Sequence, residues 1–129
     1  MGLNKETVLK DNAFLVSETD SKGNIIFANE EFCSIAEYKL NDLIGKPHNI
    51  IRHDDMPKAA FKDLWETVKN NKVWQGFVKN KTKSGGFYWV CATIYPYKNE
   101  KGEQCFMSCR RKPPQGEITK YEALYKTMQ

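Results

Sequence analysis

Three long runs in the second half of the chain, Val73 to Lys83, Phe87 to Tyr97 and Glu103 to Arg111, read as consecutive strands. They constrain the fold more than any other feature. Ser84-Gly85-Gly86 is a hairpin turn between the first two, and Asn99-Glu100-Lys101-Gly102 joins the second to the third. The first run alternates, with Trp74, Gly76, Val78 and Asn80 on one face and Lys79 and Lys81 on the other, which predicts one buried and one solvated side. A shorter hairpin opens the chain: Ala13 to Thr19, a turn at Asp20-Ser21-Lys22-Gly23-Asn24 in which Gly23 is free to take positive φ, and Ile25 to Ala28. Strands at the two ends must pair with one another to bury their edges. The expected architecture is α+β, a five-stranded antiparallel sheet with helices packed on one face and an amphipathic helix at the C-terminus.

Between the two strand groups the pattern turns helical. Asn29 is placed to cap a helix from Glu30 to Ala36, whose acidic first turn suits the helix dipole. A second short helix at Leu40-Asn41-Asp42-Leu43 stops at Gly45, with Pro47 just beyond. Pro57 opens the longest helix, running to about Asn70, with Phe61, Leu64, Trp65 and Val68 on one stripe. Leu64 and Val68 read as core; Phe61 and Trp65 are large enough to wall a ligand as well. Pro113-Pro114 breaks the last strand, and Gly116 to Met128 carries Ile118, Tyr121, Leu124, Tyr125 and Met128 on one face. The expected division is an N-terminal cap over residues 1–12, including a short helix through Glu6 to Leu9, a sensor-sized domain over 13–112 and a connector helix over 113–129.

At 129 residues this is one domain. The formal charge of +4 comes from scattered lysines with no stripe of arginine and aromatic residues, which argues against a nucleic-acid reader. No apolar run approaches the ~20 residues of a membrane span, so a soluble, cytoplasmic piece with reduced cysteines (Cys33, Cys91, Cys105, Cys109) is expected, whether or not it is tethered to a membrane receptor. No nucleophile elbow, phosphate loop or zinc-protease signature is present, so the chain is not read as an enzyme.

The densest polar stretch is Pro47-His48-Asn49-Ile50-Ile51-Arg52-His53-Asp54-Asp55-Met56-Pro57, which holds both histidines, an arginine and two carboxylates around an apolar pair. Polar groups tethered that way suit one lip of a pocket for a flat polar ligand. Arg52 is one of only three arginines and is a candidate either for a phosphate or for a salt bridge to Asp54 or Asp55. His53 either supports Arg52 or packs; His48 reads as structural. Asn80 is an amide on an otherwise apolar strand face, where a missing partner would cost ~1–3 kcal/mol. It either meets the polar edge of a ligand ring, with Trp74 supporting the ring, or faces water. His48, His53 and Asp55 crowded in one loop are weak evidence for a metal.

These residues resemble a known family. Asp20-x-x-Gly23 and Phe27-Ala28-Asn29-Glu30-Glu31-Phe32, with this strand and helix order, resemble a PAS domain. The likeness tightens over Gly45 to Phe61, and continues through Trp74-Gln75-Gly76-Phe77-Val78-Lys79-Asn80, Tyr88-Trp89-Val90, Met107-Ser108 and Leu124-Tyr125-Lys126, where the chain is similar to the Aer/CetB family of aerotaxis and energy-taxis sensors. Asp54 stands where that family commonly has proline, which would loosen the turn. The resemblance implies non-covalent FAD, a report of redox or energy state to chemotaxis, and as partners a HAMP or methyl-accepting signalling domain in cis or in trans and a second PAS copy. It also implies cofactor contacts at Asn29, Arg52, His53, Asp55, Phe61, Trp65, Trp74 and Asn80. The outer strand face, with Phe87, Trp89, Thr93 and Tyr95, is then expected to be an exposed aromatic surface for a partner. Alternatives are a haem-binding gas sensor, with His48 or His53 as axial ligand, and a cofactor-free dimerisation module. A light-formed thiol adduct is not expected, because Ile50 to Met56 contains no cysteine.

Overall fold

The computed structural model describes residues 5–53 and 55–127. Asp54, with the expected loosening of its turn, falls outside them, as do the first residues of the lead-in and Met128 of the last stripe. The elements are β1 (Leu15–Asp20), β2 (Ile25–Ala28), α1 (Glu30–Ala36), α2 (Leu40–Leu43), a 3-10 turn (His48–Ile51), α3 (Lys58–Lys69), β3 (Trp74–Lys81), β4 (Phe87–Lys98), β5 (Gln104–Arg111) and α4 (Gln115–Thr127). The five strands form one antiparallel sheet in the order β2-β1-β5-β4-β3, so the last strand lies at its centre.

Local chemistry sets these boundaries. Asp20 Oδ1 accepts from the backbone N–H groups of Lys22 and Asn24, and Gly23 sits at φ +86° to close the β1–β2 turn. The indole of Trp65 lies 3.2 Å from where a Gly23 Cβ would be, so the turn and α3 meet there. Asn29 caps α1 by accepting from the Phe32 N–H. In α3, Ala60, Leu64 and Val68 are buried against the inner face of the sheet with Val78, Tyr88 and Val90. No helix among the described residues is long and apolar enough to cross a membrane.

Three expectations need correction. Glu6 to Leu9 is not helical: the Thr7 N–H donates to the Phe87 carbonyl at 2.8 Å, the Phe87 N–H donates to Lys5 at 2.9 Å, and Leu9 enters the core. A one-turn helix closes few hydrogen bonds, whereas pairing with β4 satisfies these groups directly. Lys79 is not solvated either. It is 7% exposed, with its ammonium 2.7 Å from Asp55 and 4.5 Å above the Phe87 ring.

Nor is the outer strand face an open aromatic surface. α4 lies across it, with Tyr121 against Phe77 at 4.6 Å between ring centroids and Tyr125 stacked on Trp89 at 6.3 Å. The Tyr125 hydroxyl donates to the Phe77 carbonyl at 2.7 Å. Trp89 is left 3% exposed because the helix that the sequence predicts covers the surface that the sequence exposes.

Candidate functional site

A cavity of about 370 Å³ lies between α3 and the inner face of the sheet, within the range of small-molecule sites. Its apolar walls are Phe61, Leu64 and Trp65 from α3, Val78 from β3, Ala92 and Ile94 from β4, and Phe106 from β5. Trp65 stands edge-on to Phe106 at 5.4 Å, which fixes one side of the slot. Thr19 and the β1–β2 turn (Ser21 to Gly23) form one rim, and His48, Asn49 and Arg52 around the 3-10 turn form the other.

The polar lining is one-sided in charge. Lys22, Arg52, Lys69 and Arg110 contribute cations, and no acidic side chain lines the cavity among the described residues. Arg52 is held by a backbone bridge to Asn80 and stacks its guanidinium 4.8 Å from the Phe61 ring centre. Asp55 is engaged with Lys79 on the other side of the loop, and that bond holds its carboxyl below the usual range.

At the floor, Asn80, Ser108 and Arg110 are buried. Asn80 Nδ2, Ser108 Oγ and Arg110 Nη1 have no hydrogen-bond partner among the described residues. The Tyr88 hydroxyl lies behind them against the Asn80 amide, and burial pushes its pKa up to about 12. Buried polar groups without partners each cost ~1–3 kcal/mol, and three along one cavity floor call for an acceptor-rich guest.

Arg110 was not anticipated. Its Nη2 donates to Ser17 Oγ at 2.9 Å and to His48 Nε2 at 2.8 Å, and its guanidinium lies 4.9 Å from the Phe32 ring centre. Because arginine only donates, His48 Nε2 accepts there and the ring is neutral with its proton on Nδ1. Burial first, and the Arg110 charge second, hold the His48 pKa down to about 3. Burial also lowers Arg110 to about 10, which leaves it a cation at neutral pH. The sequence signal was the alternation Phe106, Ser108, Arg110 along one face of β5; the neighbouring Arg111 disguised it as a solvated strand end.

A pH dependence follows. The unfolded chain binds the His48 proton near 6.5, whereas the folded chain does so only near 3. Between those values the unfolded state carries more protons, so this contribution to stability is complete above the window and is lost as pH falls through it. His48→Gln should therefore shrink the stability difference between pH 7 and pH 5 by about 2 kcal/mol. Urea midpoints at the two pH values measure it, and an unchanged difference would contradict the neutral assignment.

Of the eight residues expected at the site, the cavity brings together Arg52, Phe61, Trp65 and Asn80. The other four lie outside its lining. Asn29 Oδ1 accepts from the N–H groups of Val16 and Phe32, and its Nδ2 donates to the Phe14 carbonyl, so its amide ties β1 to the start of α1. His53 accepts from the Asp55 N–H through Nδ1 and meets Phe87 edge-on, and Asp55 faces Lys79. Trp74 folds over Gly76, with indole carbons 2.4–2.6 Å from where a Cβ would stand, and donates through Nε1 to Asp63 at 2.9 Å. It ties α3 to β3 and lies outside the lining of the slot.

The family model described as the PAS fold matches residues 25–111. Among known proteins, the chain is 43% identical over 124 residues to the aerotaxis receptor of Escherichia coli strain K12, covering 96% of this chain and 24% of that one. It is 30% identical over 97 residues to the nitrogen fixation regulatory protein of Klebsiella oxytoca, covering 75% and 20% respectively. The chain thus spans a quarter or less of these relatives. A solved PAS domain of a protein from Colwellia psychrerythraea superposes with a TM-score of 0.69 at 20% identity, covering 81% of this chain and 91% of the other.

Proposed function

The chain belongs to the PAS fold family, and from that premise we propose that it is a flavin-binding sensor domain, not an enzyme, that reports redox or energy state to a chemotaxis pathway. FAD is the proposed flavin. The observation that carries this reading is the set of partnerless buried atoms, Asn80 Nδ2, Ser108 Oγ and Arg110 Nη1, at the floor of a cation-lined slot without carboxylates. They suit the carbonyl-rich edge of an isoalloxazine ring. Trp65, Phe61 and Phe106 suit its apolar surface, and Arg52, Lys22 and Lys69 suit phosphate at the mouth. Similarity to an aerotaxis receptor supports the pathway; a membrane-associated receptor signalling domain is the proposed partner, in cis or in trans, with the domain itself on the cytoplasmic side.

Rival chemistries lack their residues. None of the four cysteines lines the cavity, so a thiol adduct has no nucleophile. His48 Nε2 is committed to Arg110 and Ser17, and His53 is outside the cavity lining, so neither is poised to ligate a haem iron.

When bound, a flavin supplies reversible electron transfer. The chain's part is to hold the ring and to move when its charge changes. Asn80 points into the slot from β3, and its neighbour Lys79 points out to Asp55 and Phe87. Three residues back along the strand, the Phe77 carbonyl is held by Tyr125 of α4. A change in what Asn80 binds is thereby passed through one strand to the C-terminal helix, the proposed output element over residues 113–129. Only differential contacts with the two redox states can drive this. An absorption spectrum of the purified domain, with the cofactor identified after denaturation, tests the reading: released FAD is expected. A colourless protein that takes up no added flavin, or a porphyrin spectrum, would overturn it.

A further inference from the structure

Arg110 is a cation in the wrong company for a purely structural role. It is 3% exposed, yet its partners are a hydroxyl, a neutral imidazole and a phenyl face, none of which cancels its charge. Buried guanidinium groups are ordinarily matched to carboxylates. Here no acidic side chain lines the cavity among the described residues, and Nη1 is left without a partner. Ser17 and His48 meanwhile hold the other nitrogen, Nη2, in place. The group is therefore fixed and ready to face an added negative charge.

We infer that Arg110 is the residue that sets the redox balance of the bound flavin, by stabilising the negative charge that reduction places on the ring. This rests on the flavin reading above. The oxidised ring is neutral; two electrons and one proton convert it to a monoanion, with the electrons drawn in the test from dithionite. A fixed cation beside the ring binds the product more tightly than the starting form and raises the midpoint potential by that ratio. Ser17 and His48 are positioning residues for the guanidinium.

The experiment is a dithionite titration of the flavin-loaded domain against a reference dye, for the native chain, for Arg110→Met and for Ser17→Asp. Methionine fills the space without charge. The aspartate, at the residue whose hydroxyl accepts from Nη2 and which does not line the cavity, pairs with Arg110 while leaving it in place, and so carries the test even if the methionine variant fails to fold. Each variant should favour the reduced ring at least tenfold less, which is a fall of about 30 mV for a two-electron couple. Affinity for oxidised flavin should change by less than that for the reduced form, a split that general damage to the pocket would not produce. Yellow variants whose potentials match the native value within about threefold in that ratio would overturn the inference and leave the flavin reading intact. A native domain that binds no flavin would overturn the reading itself.

Discussion

Replacing Trp74 with alanine is expected to lower stability by about 3–5 kcal/mol, the range for removing a buried aromatic side chain. The indole is 8% exposed, lies over Gly76, and donates to Asp63 on α3, so truncation leaves a void and cuts a tie between β3 and α3. A fall of about 10–20 °C in the thermal midpoint should accompany it for a domain of this size. At temperatures where the variant remains folded, its flavin affinity should stay within about threefold of native, because the cavity wall does not include it. Urea unfolding and flavin titration of one preparation decide the matter. Tenfold loss of affinity with little loss of stability would put the indole back against the ligand. Gly76 is the complementary position, since any side chain there would displace the same ring.

Asn80→Leu should behave in the opposite sense. The amide is 3% exposed and its Nδ2 has no partner among the described residues, so the flavin-free domain bears the cost of a desolvated donor. A leucine of similar volume removes that cost, and the flavin-free variant should be as stable as the native chain or about 1 kcal/mol more so. Flavin affinity should fall at least tenfold, about 1.4 kcal/mol, because the ring loses a buried donor. Stability gained where binding is lost is the signature of a residue kept for its ligand. If the variant loses several kcal/mol and binds flavin normally, Asn80 is structural and the site is misassigned.

These opposed expectations show what was legible in the chain. Strand alternation put Trp74 and Asn80 on one face, and the structure keeps them there. Alternation gives a face but not a depth: Trp74 lies at the far end of β3 against α3, and only Asn80 reaches the slot. The helical stripe was read more fully, since Phe61 and Trp65 both line the cavity and Leu64 and Val68 are buried as core residues. Asn29 was legible twice, as a helix cap and by resemblance as a cofactor contact, and its three hydrogen bonds here serve the cap and β1. What could not be read was tertiary. Arg110 and His48 are 62 residues apart, and their pairing depends on β5 entering the sheet beside β1. Lys79 was assigned to water because nothing local reveals that Asp55 and Phe87 will close over it.

The central place of β5 has a consequence for how the domain comes into being. Leu15 pairs with Arg110, so the opening hairpin waits for nearly the whole chain before its central partner arrives. Pairings that distant in sequence are slow to form, because loop closure must precede any reward. On the ribosome the β1–β2 hairpin would emerge first and remain half-matched, with Leu15, Ser17 and Thr19 facing no finished core. The cavity acquires its floor only when β5 slots between the two halves, so the slot is completed in the same event that makes the domain a single sheet.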